Sequence, residues 1–138
     1  MVLRQKELRK KYLTIEEAQA TIPCIQPILL ELMQINRTLD LLASVDFSHD
    51  DDFEFSYFHI ETSKNFHDLS LQFYTRLLEL LKIGCMVKDA SLGLVDFFSI
   101  HKGREILLCY QITEDRIEYW HEVDAGYHSR KHISLLTK

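Results

Sequence analysis

The stretch LKIGCMVKDASLGLVDFFSIHKGREILLCYQI, residues 81–112, decides the fold, because the hydrophobic period changes inside it. Up to Leu80 the apolar residues Phe66, Leu69, Phe73, Leu77 and Leu80 recur three and four apart, the repeat of one helix face. Gly84 is well placed to end that helix. Beyond it, β-branched, aromatic and aliphatic residues fill Cys85–Asp89, Leu94–Ile100, Glu105–Ile112 and Ile117–Val123, with connections such as His101-Lys102-Gly103 between them. Connections this short cannot carry crossover helices, so the spacing predicts an antiparallel meander of about four strands. His132–Leu136 is the candidate for a fifth, edge strand.

Toward the N-terminus, Thr14-Ile15-Glu16-Glu17 has capping-box spacing and predicts a helix start. Ile15, Ala18, Ile22, Ile25, Leu29, Leu32, Leu39 and Ala43 continue as a heptad-like stripe, with Asn36 where another apolar residue is expected. Proline breaks the helix ladder, so Pro23 and Pro27 predict a short helix to about Thr21 and a second from about Pro23 to Ala43. Phe47–Phe55, acidic with interleaved phenylalanines, reads as a loop, and a further helix runs from about Tyr57 to Leu81. The fold class is therefore α+β. A basic arm (1–13) precedes a helical hairpin (14–83), which packs on a small antiparallel sheet with a tail (84–138), all in one domain of 1–138.

Composition excludes several functions. With 46% hydrophobic and 27% charged residues the chain is an ordinary globular sequence. Its apolar runs are too short to cross a bilayer, and no apolar segment follows the basic start, so neither a membrane partner nor a secretory signal is expected. Three unpaired cysteines, Cys24, Cys85 and Cys109, fit free thiols in the cytoplasm. A net charge of −5 and an isoelectric point near 5.8 argue against a nucleic-acid partner. Charge is uneven, with Arg4, Lys6, Arg9, Lys10 and Lys11 in the arm and Asp46, Asp50, Asp51, Asp52 and Glu54 in the middle. Both groups read as solvated.

Alternation singles out two polar residues. Ile117, Tyr119, His121 and Val123 share one strand face, and Leu94, Asp96, Phe98 and Ile100 share another, so His121 and Asp96 each stand in an apolar row. A buried carboxylate needs a partner, and His121 or Arg130 can supply one. His121, Glu122, Asp124, His128 and His132 are metal-ligand types without strict ligand spacing, and the four glycines fit no phosphate-binding fingerprint. No motif indicates a cofactor. Cys109 could serve as a nucleophile with His121 as base, although no oxyanion loop is visible. If the tail is extended, His128, Arg130 and His132 face one way and could hold a small anion.

The pattern resembles a family of small bacterial proteins, domain of unknown function 2203. Thr14–Ala18 with Ile22-Pro23 is similar to the family's opening. Further matches are Val87-Lys88-Asp89, Gly93–Phe97, Gly103-Arg104, Leu108-Cys109-Tyr110, Thr113-Glu114, Trp120-His121, Gly126-Tyr127 and Arg130. Tyr110 stands where the family usually has tryptophan, and Thr113 where it usually has glycine. The resemblance implies a helical hairpin on a small sheet and no assigned activity. It also implies a candidate polar cluster of Lys88, Asp89, Asp96, Cys109, Glu114, His121 and Arg130.

Two function classes follow. One is an interaction or regulatory module that self-associates, most simply as a homodimer, through the heptad-like stripe and a sheet apolar on both faces. The other is a small-ligand or metal-binding protein, or an enzyme, built around Asp96, Glu114, His121 and Arg130.

Overall fold

The computed structural model describes residues 9–45 and 53–136. Two long helices, α1 (Ile15–Ala43) and α2 (Phe53–Ile83), precede β1 (Cys85–Asp89), β2 (Leu94–His101), β3 (Arg104–Gln111), β4 (Tyr119–Glu122) and β5 (Lys131–His132). The strands pair in chain order, each antiparallel to the next, so the sheet is a five-stranded meander beside a helical hairpin. The fifth strand is Lys131–His132, and Ile133–Leu135 forms a 3₁₀ turn where an edge strand was expected. Arg4, Lys6, Asp46 and Asp50–Asp52 lie outside the described residues, as does most of the expected acidic loop. The remainder of that loop, Phe53–Phe55, is the first turn of α2. Among the described residues no helix is long and apolar enough to cross a membrane.

The capping box closes as the spacing predicts: Thr14 Oγ1 accepts from the Glu17 N–H at 3.1 Å, and Glu17 Oε1 accepts from the Thr14 N–H at 3.0 Å. The break expected near Pro23 does not occur, because α1 is continuous through both prolines. Four residues apart, the two rings share an exposed face, while Ile22, Ile25, Leu29 and Leu32 are buried on the other side. The helical bonds lost are those to the carbonyls of Gln19 and Pro23, on a side that water can reach. Burial of the opposite stripe outweighs that loss. Pro23→Ala should restore one bond without removing a core contact, and is expected to raise stability by about 1–3 kcal/mol in urea unfolding.

The core lies between the helices and one sheet face. Ala18, Ile22, Ile25, Leu29 and Leu32 of α1 and Leu80 of α2 meet Cys85, Val95, Phe97, Ile106, Leu108, Tyr110 and Trp120. The α1 stripe continues through Ile35, with Asn36 beside it and half-buried. Two side chains of α1 also anchor the sheet. Gln19 Oε1 accepts from the Ile117 N–H at 2.9 Å, and Gln26 Nε2 donates to the Tyr110 hydroxyl at 3.1 Å. Arg76 of α2 joins the hairpin, donating to Glu79 at 2.7 Å and to Glu31 of α1 at 3.2 Å.

Among the described residues the core packing of α1 and α2 is against the first face, and the opposite face is covered by other parts of the chain. One end is closed by the part of the basic arm that is described. The Leu13 N–H donates to the Phe98 carbonyl at 2.9 Å, and Lys10 and Tyr12 both donate to Glu105, at 2.9 and 2.8 Å. Those two donors hold the Glu105 carboxyl below its ordinary value. The chain after β4 crosses the other end, and its Val123, Ala125, Gly126 and Tyr127 wall a pocket described below.

Candidate functional site

Register brings the site together. Asp96 of β2 stands opposite Cys109 of β3, which stands opposite Tyr119 of β4, and Phe98, Leu107 and His121 form the adjacent row. Side chains two apart along β4 and β2 share a face, so His121 lies diagonally across from Asp96 on the side away from the helices. Asp96 is 2% exposed and His121 4%.

His121 has a determined tautomer. Its Nδ1 lies 2.8 Å from the Glu122 carbonyl, which can only accept, so Nδ1 carries a proton and donates it. Nε2 faces both Asp96 oxygens, at 3.3 and 3.2 Å. One proton must lie in that contact, as imidazolium with carboxylate or as imidazole with carboxylic acid, since two bare acceptors would repel. Cys109 Sγ lies within 4.8 Å of an Asp96 oxygen and of a His121 ring nitrogen. Burial pushes the Asp96 carboxyl up, and the nearby His121, Lys88 and Cys109 oppose that rise. Burial likewise pushes the Cys109 thiol up to about 12, with the Asp96 charge adding to it. A thiol held so firmly protonated is not an activated nucleophile.

These three residues form the floor of a pocket of about 300 Å³, walled by Lys88, Asp89, Leu94, Leu107 and the Val123–Tyr127 crossing. That volume suits a small ligand. Asp89 is engaged locally: its Oδ1 accepts from the Ser91 N–H at 2.9 Å, the Ser91 hydroxyl and the Leu92 N–H, which shapes the β1–β2 turn. Lys88 stands exposed on the rim, in the stretch where β1 slips register between Val87 and Asp89.

Arg130 and Glu114 make a separate group. Arg130 donates to Glu114 at 2.5 Å and stacks its guanidinium 3.8 Å from the Tyr119 ring centre and 4.8 Å from that of Tyr127. The other Glu114 oxygen accepts from the Gln111 N–H at 2.7 Å. The Glu114 N–H donates to the Gln111 carbonyl, closing a turn in which Thr113 needs no positive φ. The polar residues therefore form two neighbouring groups, Asp96/Cys109/His121 and Glu114/Arg130, instead of one cluster.

The remaining metal-ligand types lie apart. Glu122 points to the other sheet face and pairs with Arg104 at 3.2 Å and Lys131 at 3.6 Å, while Asp124, His128 and His132 are exposed. The His132 ring bonds Ser134 at 2.9 Å.

Residues 11–133 match the family model described as Uncharacterized conserved protein (DUF2203). The chain belongs to the DUF2203 family. No curated protein and no solved structure matches it. The matched DUF2203 region takes in both helices, the whole sheet and every residue of the two polar groups.

A second surface went unnoticed in the sequence. Phe53, Tyr57, Ile60, Lys64, His67, Leu71, Tyr74, Leu78 and Leu81 of α2 follow alternating steps of four and three, and seven of them are interspersed apolar or aromatic residues. Leu78 is half-buried and the others are exposed, from 39% at Leu81 to 87% at Phe53. The signal was present as a second repeat offset from the Phe66–Leu80 stripe. Periodicity does not say which of two stripes on a helix meets the core.

Proposed function

We propose that this DUF2203 protein is an interaction or regulatory module of the cytoplasm that acts as one folded unit and self-associates through the solvent face of α2. The observation that carries the reading is the exposed stripe from Phe53 to Leu81. It spans about four heptads, roughly 42 Å of helix, which is long enough for a two-helix seam. Paired with the same face of a second copy, it would remove large side chains such as Tyr57, Ile60, Leu71 and Tyr74 from water. Lys64 and His67 interrupt its middle, and polar residues at seam positions select register. Glu61 and Asp68 flank them and offer opposite charges for pairing across the seam. The apolar sheet is a weaker argument for a partner, since the chain's own arm and crossing cover much of its open face.

Sedimentation of the wild type and of the Ile60→Glu/Leu71→Glu double variant tests the proposal. The wild type should run as a homodimer at micromolar concentration and the variant as a monomer, with matching circular dichroism, because both sites are exposed in the single chain. A wild type that stays monomeric at high micromolar concentration would overturn the reading. A second reading, a small-ligand or metal-binding protein or an enzyme, is favoured by the buried Asp96/Cys109/His121 group at a pocket floor.

A further inference from the structure

We propose that Asp96, Cys109 and His121 bind one divalent transition-metal ion of the zinc class, with a coordination position left open to the pocket. One carboxylate oxygen, Cys109 Sγ and a His121 ring nitrogen all lie within 4.8 Å of one another, and all three residues are buried. They come from three neighbouring strands, β2, β3 and β4, whose pairing fixes their spacing. Zinc bonds to nitrogen and oxygen are about 2.0–2.2 Å and to sulfur about 2.3 Å, so tetrahedral ligand atoms stand roughly 3.3–3.8 Å apart. Closure on an ion therefore asks for side-chain movement of the order of an ångström, within reach of χ rotations.

The chemistry of the donors selects the class of ion. Thiolate, imidazole and carboxylate together suit a borderline ion such as Zn²⁺, whereas Mg²⁺ and Ca²⁺ want oxygen ligands alone. The Nδ1–H donation to the Glu122 carbonyl is the outer-shell contact that metal-bound histidines make, and it leaves Nε2 as the ligating atom. A thiolate and a carboxylate neutralise the dication. The thiol proton and the proton shared by His121 and Asp96 leave to solvent as the ion enters. Three protein ligands leave a fourth position, and the pocket of about 300 Å³ lies on that side, with Lys88 on its rim. An anionic oxygen of a small ligand could occupy that position and meet Lys88. The site is independent of the α2 seam, which lies on another element.

The test uses the whole chain, stripped with chelator and titrated with Co²⁺. The expected result is one equivalent bound, with a thiolate-to-cobalt charge-transfer band and d–d bands of four-coordinate strength, both bleached by Zn²⁺. Cys109→Ser should abolish the charge-transfer band, and Asp96→Asn should weaken binding about a hundredfold or more, since even outer-shell changes cost 10–100-fold. Cys24→Ser, at an exposed thiol on α1, should leave the spectrum unchanged. X-ray absorption of the zinc-loaded wild type reads the shell without relying on any variant folding, and should show one sulfur with nitrogen and oxygen neighbours. A missing band at stoichiometric Co²⁺, a zinc shell without sulfur, or a band that survives Cys109→Ser and is lost in Cys24→Ser would overturn the proposal.

Discussion

His121→Ala is expected to destabilise the metal-free protein by about 3–5 kcal/mol, comparable to truncating a large core side chain and breaking a buried pair at once. The imidazole is 4% exposed and lies on the sheet face over β2, β3 and β4, so its removal deepens the pocket floor and gives up the packing it makes there. It also strips Asp96, itself 2% exposed, of the group that shares its proton and contacts both its oxygens. An acid in that position either stays charged without compensation or takes a proton at a cost. Urea unfolding in the presence of chelator measures the loss. The double variant His121→Phe/Asp96→Leu should recover most of it, because an apolar pair of similar volume needs no partner. A single-variant loss below about 1 kcal/mol would show that the pair contributes little to holding the sheet together.

Gly93→Ala should cost about 2–5 kcal/mol, through two effects that Gly103→Ala separates. Gly93 immediately precedes β2 with φ +65°, and a Cβ there would stand 2.6 Å from Ile112 Cγ2 and 2.9 Å from Met33 Sδ. Its carbonyl also accepts from the Ile112 N–H at 3.0 Å, so the backbone cannot move away without losing that bond. Gly103, with φ +73°, has nothing within 4 Å of such a Cβ, and its substitution should cost only the left-handed penalty of about 1 kcal/mol. Equal losses in thermal melting at the two positions would mean that the Ile112 and Met33 contacts relax freely.

The layers of this protein are written in local pattern. The change of period at Gly84, the capping box at Thr14 and the short connections determined a helical hairpin followed by an antiparallel meander, because each depends on residues a few positions apart. Asp96 and His121 were legible as buried polar residues for the same reason, since alternation places a side chain on a face without reference to any other strand. Which residues meet across strands depends on register, and register is set by pairing over tens of residues. Only the tertiary structure therefore decided that Cys109 joins Asp96 and His121, and that Arg130 takes Glu114 as a separate pair. The continuity of α1 was decided in the same way. Pro23 and Pro27 argue locally for a break, but burial of Ile22, Ile25, Leu29 and Leu32 against the sheet is a long-range term, and it is larger than the hydrogen bonds the prolines forgo.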